Sequence, residues 1–156
     1  MKTRIYLALI LGLALILPVL AVEDDWGNTS EYQEFFDRGS IVTIQGKVTG
    51  INRDTVPLPG MEPGFSVDVR TAEGDEVNVQ VGPLWFSSFY KKKWDVKAGD
   101  TVEVTGSRVE IDGKPVIMAT KCVHRVEHAK SSEMTLRSKQ GVPVWDFDPD
   151  LDLKGL

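Results

Sequence analysis

The stretch Ile41-Val42-Thr43-Ile44-Gln45-Gly46-Lys47-Val48-Thr49-Gly50-Ile51 decides the fold. Its β-branched residues and period of two make it a long strand. Gly46 and Gly50 interrupt it, and glycine inside a strand admits a bulge or a sharp coil. A first strand bent in this way can serve two sheets at once. Downstream, residues 52–64 form a loop rich in Pro and Gly. Phe65 to Arg70 and Glu76 to Val81 alternate cleanly around the turn at 72–75, which predicts a hairpin. Pro83 opens a helix predicted over 84–94. Strands over 101–111 and 115–126 follow, joined at Asp112-Gly113.

Three strands, one helix and two more strands predict a mainly β fold. The expectation is a small five-stranded barrel with a capping helix between strands three and four, plus N- and C-terminal extensions. That layout is the OB-fold. Val96 to Ser107 resembles the fourth strand of many OB domains, and Val116 to Lys121 resembles the fifth. More narrowly, Gly82-Pro83-Leu84-Trp85-Phe86 and the run Leu136 to Trp145 (LRSKQGVPVW) resemble motifs of exported bacterial OB-fold proteins of unsettled function. The layout is also similar to that of small periplasmic OB-fold stress proteins. The resemblance spans about residues 40–145 and implies the fold and an envelope setting. Members of the group include lipoproteins, but no Cys stands near the start of this mature chain, so tethering by lipid is not carried over.

Upstream, Lys2 and Arg4 precede an uncharged run from Ile5 to Val22, with Pro18 near its end and Glu23-Asp24-Asp25 after it. Residues 1–21 therefore read as a secretory signal. An uncleaved anchor is the rival, because 18 uncharged residues lie at the lower limit for spanning. Cleavage after Ala21 leaves 16 basic and 23 acidic residues, a net charge of -7 and no stable membrane span. Residues 22–40 form an acidic extension. In it Thr29 or Ser30 caps a short helix whose Tyr32, Phe35 and Phe36 share one face, either packed on the domain or part of a flexible leader. Residues 41–128 form the OB-fold domain, and 129–156 a C-terminal hairpin and acidic tail. The expected location is periplasmic or secreted.

Composition narrows the chemistry. One Cys excludes an intramolecular disulfide framework, and two His exclude a multi-His metal cage. No G-x-S-x-G elbow and no phosphate-binding glycine loop is present. The expectation is a non-catalytic module without a cofactor. Trp85, Phe86, Phe89, Tyr90 and Trp94 are expected to plug the barrel, at about 1.5–3 kcal/mol each. The rival is a surface for single-stranded nucleic acid, with Trp85 and Tyr90 stacking beside Lys91, Lys92 and Lys93. Residues 41–128 hold 11 basic and 12 acidic side chains, which makes nucleic acid an unfavourable partner.

A third class is a metal or redox protein. Cys122, His124 and His128 share a strand face, but 122 and 128 would lie about 20 Å apart. That leaves Cys122 with His124 as a weak pair. Asp146, Asp148, Asp150 and Asp152 alternate, yet Leu151 and Pro149 break the calcium-loop pattern. Trp145, Phe147, Leu151 and Leu153 would instead line one face of an extended tail, docked on its own barrel or exchanged in a homo-oligomer. The contact region for an envelope protein or small ligand is expected on strands two and three and the adjoining loops. Leu58, Met61 and Phe65 lie there, and Arg137 and Trp145 are further candidate contacts, Arg137 toward an anion.

Overall fold

β-Branched residues at alternate positions carry β1 from Ile41–Thr55, longer than the glycine-broken run alone suggests. The computed structural model describes residues 25–90 and 95–146, without the side chains of 88–90. The expected signal segment, the Lys91 to Trp94 stretch, the Tyr90 side chain and the tail from Phe147 lie outside the described residues. Before β1 come α1 (Glu31–Glu34) and a 3-10 turn (Arg38–Ser40); after it β2 (Gly64–Thr71), β3 (Glu76–Pro83), α2 (Leu84–Tyr90), β4 (Thr101–Ile111), β5 (Lys114–Arg125) and β6 (Ser132–Thr135).

The sheet is mainly antiparallel in the order β3-β2-β1-β4-β5-β6, and a parallel pairing of Asn78–Gln80 with Val116–Met118 joins β3 to β5. That pairing closes β1, β2, β3, β5 and β4 into a ring. The long first strand makes the ring possible. Gly46 pairs with Val102 of β4 and with Thr71 of β2, so β1 passes from one neighbour to the other there. The β1–β2 register slips between Val48 and Gly50, a bulge where glycine permits the bend. A second slip between Thr105 and Gly106 of β4 leaves Thr120 of β5 unpaired in that ladder.

Inside the ring, alternate positions of the strands supply Val48, Val67, Val69, Val77, Val79, Val102, Val104, Ile117 and Ala119, all buried. From outside it come Phe86 of α2, Met134 of β6 and Leu136. The expected plug is therefore half realised among the described rings. Phe86 is 6% exposed, whereas Trp85 is 46% exposed. Neighbours on a helix point about 100° apart, so the two rings cannot both enter the ring of strands. No helix among the described residues is long and apolar enough to cross a membrane.

A second apolar cluster lies outside the ring. Ile111, Val116 and Met118 turn outward and are covered by Trp26 and Tyr32 of the N-terminal extension, with Phe35, Phe36 and Trp145 packed against them. Ser30 caps α1, its hydroxyl accepting from Gln33 N. The C-terminal segment adds β6 on β5 and then a hairpin in which Arg137 bridges Pro143 and Ser138 N donates to Val142 O at 2.9 Å. Trp145 and Asp146 lie in a turn closed by Asp146 N on Pro143 O, so the extended run expected from Trp145 onward does not begin there.

Candidate binding face

Alternation that buries the valines of β2 and β3 forces their polar neighbours outward onto one surface. Strand register sorts them into rows. Gly50, Asp68, Asn78 and Val116 form one row across four strands, and Asn52, Ser66, Gln80 and Met118 form the next. The polar members are knitted together. Asn78 Nδ2 donates to Asp68 Oδ1 at 2.8 Å and to Ser66 Oγ at 3.2 Å, and the hydroxyls of Ser66 and Thr55 meet at 2.6 Å. Arg70 pairs with Glu76 at 2.9 Å, and Thr49 Oγ1 donates to the same carboxylate. Tyr32 Oη donates to Gln80 Oε1 at 2.8 Å.

A groove of about 310 Å³ runs over Asn78 and Gln80, between residues 55–57 and the β4–β5 turn with Asp112 and Lys114. Asn78 Oδ1 and Gln80 Nε2 have no protein partner among the described residues. Gly50 keeps the row flat, since a Cβ there would come within 2.8 Å of Asp68 Oδ2.

The extensions form one margin of this face. Trp26 Nε1 donates to Glu62 O, and Trp145 Nε1 donates to Trp26 O, both at 2.9 Å. Gln33 Nε2 donates to Gly141 O at 2.8 Å. Arg137 lies behind them, 2% exposed, with Nη1 on Ala119 O at 2.6 Å. Its guanidinium carbon sits 5.0 Å from the Trp145 ring centroid and 6.0 Å from that of Tyr32. Nη2 is buried without a hydrogen-bond partner. Burial pulls the Arg137 pKa down, partly offset by Tyr32 and Cys122. Burial pushes the Tyr32 phenol up to about 12, against the opposing pull of Arg137.

The residues singled out from sequence fall in several places. Leu58 and Met61 are half-buried and wall a different groove, of about 470 Å³, opposite Asp25, Glu31 and Glu34. Phe65 is 5% exposed beneath the Arg53 guanidinium, so it lines the core and not a contact strip. Arg137 is too enclosed to meet an anion, and Trp145 is held against Arg137 and Phe86. None of these five side chains lines the groove over Asn78 and Gln80. Asn78 and Gln80 do line it, with Asp68 and the buried Ser66 bonded to Asn78 beside them, and sequence reasoning missed all four. Polar residues alternate with apolar ones on every half-buried strand, so nothing in the pattern marks these four. Their signal was only that the two strands form a hairpin beside the Pro-rich loop.

The weak metal pair does not converge. Cys122 is fully buried, and burial pushes its thiol up to about 12, so it stays protonated at neutral pH. His124 Nε2 faces Asp100 Oδ2 at 3.0 Å, and His128 lies exposed beyond β5. Among the described residues no group of three or more His, Cys, Asp or Glu is placed to hold a metal ion.

Comparison with known proteins places this geometry in a family. The chain is 23% identical over 128 residues to O-fucosyltransferase 24 of Arabidopsis thaliana, covering 82% of this chain and 21% of that protein. It is 29% identical over 89 residues to O-fucosyltransferase 20 of Brassica napus, covering 57% of this chain and 15% of that protein. The chain thus spans about a fifth or less of the length of these relatives. The model of the MamS/MamX magnetosome protein family matches residues 40–127, from the 3-10 turn through the whole ring. That match covers more than half of the sequence, and the chain belongs to the MamS/MamX magnetosome protein family.

Proposed function

We propose that this chain is an exported, non-catalytic OB-fold module that binds a partner through the outward face of β2 and β3. The observation carrying the reading is the groove over Asn78 and Gln80, walled by Val56, Pro57, Ile111 and Val116 as well. The ring order β1-β2-β3-β5-β4, closed by parallel pairing of β3 with β5, supports the OB-fold assignment. OB-folds bind on this face, between the β1–β2 and β4–β5 loops. The family's name adds a magnetosome setting to the envelope location read from residues 1–21. The transferase activity in the plant relatives' names belongs to much longer proteins and is not carried over. A non-catalytic role also suits a buried Cys122 and a His124 engaged by Asp100.

The test is site-specific photocrosslinking in the native cell. A photoreactive residue at position 56 or 114 borders the groove, and one at 139 lies away from it. Discrete adducts from 56 and 114, with none from 139, are expected. Adducts from 139 alone would overturn the reading. A second reading, single-stranded nucleic acid on α2, rests on the exposed Trp85 indole beside Lys91, Lys92 and Lys93 in sequence. Binding of an oligothymidine at low salt that Trp85→Ala abolishes would favour it.

A further inference from the structure

We infer that the ligand of the β2–β3 face is an extended, uncharged peptide segment of a partner protein, gripped by its backbone at Asn78 and Gln80. This rests on the proposed use of that face for binding. Tyr32 Oη occupies Gln80 Oε1, which fixes the amide and leaves its N–H donors for a ligand. Asn78 commits its N–H donors to Ser66 and Asp68, which leaves Oδ1 as an open acceptor. Gln80 is only 4% exposed, so its orientation is set before any ligand arrives. One open donor and one open acceptor therefore stand two residues apart on the same side of β3, at about 6.8 Å. An extended peptide repeats its same-side N–H and C=O groups at that spacing. A segment laid along β3 can give an N–H to Asn78 and take Gln80 on a carbonyl of the next same-side residue.

Other occupants fit less well. Arg70 and Glu76 neutralise each other, and Asp112 and Lys114 balance at the rim, so a polyanion gains no net attraction. Bases need a ring to stack on, and the nearest one in β2, Phe65, is buried. A volume of about 310 Å³ sits at the small end of the ~300–1,000 Å³ range of ligand pockets, which suits a few small side chains.

The test uses the full chain labelled with 15N, and follows the side-chain amide signals of Asn78 and Gln80. Three probes are added in turn: acetyl-Ala-Thr-Ala-Val-amide, chitotetraose and an eight-base oligothymidine. The expected result is that only the peptide shifts both signals. Asn78→Ala, at a half-exposed position, is expected to weaken that binding about tenfold. Gln80→Glu keeps the acceptor for Tyr32 and removes the N–H donors, with the same expected loss; Asn78→Ala carries the test alone should that variant not fold. Shifts from the glycan or the oligonucleotide instead would overturn the peptide class and leave the face as a binding face. Peptide shifts confined to other residues would overturn the inference. With shifts from no probe the inference falls, and the wider reading stands only on adducts from positions 56 and 114.

Discussion

Arg137 carries a charge into the interior with no carboxylate to meet it among the described residues. The energy of such a group depends on how its field is compensated. Here the compensation is the Ala119 carbonyl, the Gln33 side chain 3.5 Å from Nε, and the faces of Trp145 and Tyr32. A planar, weakly hydrated guanidinium can use ring faces, and a compact ammonium cannot. Arg137→Lys should therefore destabilise the fold more than Arg137→Met. The expected losses are about 3–5 kcal/mol against about 2 kcal/mol, read from urea unfolding. Equal losses would mean that the rings contribute packing alone. Cys122 and Tyr32 make a related prediction for pH. Each has a folded pKa raised above its unfolded value by burial, to about 12 in both cases. The folded chain then binds more protons than the unfolded chain over that interval, so stability falls as pH rises. The loss begins above pH 9 for the thiol and above pH 10 for the phenol. Unfolding midpoints measured from pH 8 to 11 should decline, and Cys122→Ala should flatten the part that starts near pH 9. A variant profile parallel to that of the native chain would sink the assignment.

At the level of elements, the two sequence motifs are the halves of one contact. Gly82 is the last residue but one of β3, and a Cβ there would lie 2.8 Å from two carbons of the Trp145 ring. Trp145 in turn packs on Phe86, with centroids 5.0 Å apart, so the start of α2 and the C-terminal hairpin meet over a glycine. Gly141 adds a matching device. Its φ of 93° suits glycine, and its missing Cβ makes room for Phe36. Gly82→Ala should cost about 1–3 kcal/mol by overpacking, and about 1–3 kcal/mol more because its φ of 156° strains a residue with a Cβ. Because the clash is with one ring, the overpacking part of the cost should vanish in a Trp145→Leu background, while the backbone strain remains. A double-mutant cycle measures this, and additive losses would disprove the contact's role. The sequence made the ring strands legible, because alternation and Gly or Pro turns bound each of them. It did not mark β6, since Ser132-Glu133-Met134-Thr135 is four residues with a single large apolar side chain. Nor did it mark the proposed binding face. Asn78 and Gln80 look like any outward strand residues until Tyr32, 48 positions before Gln80, fixes one amide. Contacts of that range leave no local periodicity.

At the scale of the whole molecule, the described residues form two cores that share β5. One face of that strand sends Ile117 and Ala119 into the ring, and the other sends Val116 and Met118 outward. The outward pair is buried because residues flanking the ring cover it. Trp26 and Tyr32 come from one side, and Trp145 from the other. Met134 and Leu136 reach into the ring core as well, at 3% and 0% exposure. The span matched by the family model, residues 40–127, contains none of these five side chains. Burying a large apolar side chain is worth about 1.5–3 kcal/mol, and a domain is stable by only about 5–15 kcal/mol. Losing five of them removes an amount comparable to the whole margin. A fragment of residues 40–127 is therefore expected to lack a cooperative thermal transition and to bind a hydrophobic dye, whereas residues 25–146 should melt sharply. If the shorter fragment melts within a few degrees of the longer one, the outer core is dispensable and the ring is self-sufficient. If only the longer one folds, the groove over Asn78 and Gln80 also depends on both extensions, because Tyr32 holds its floor from outside the matched span.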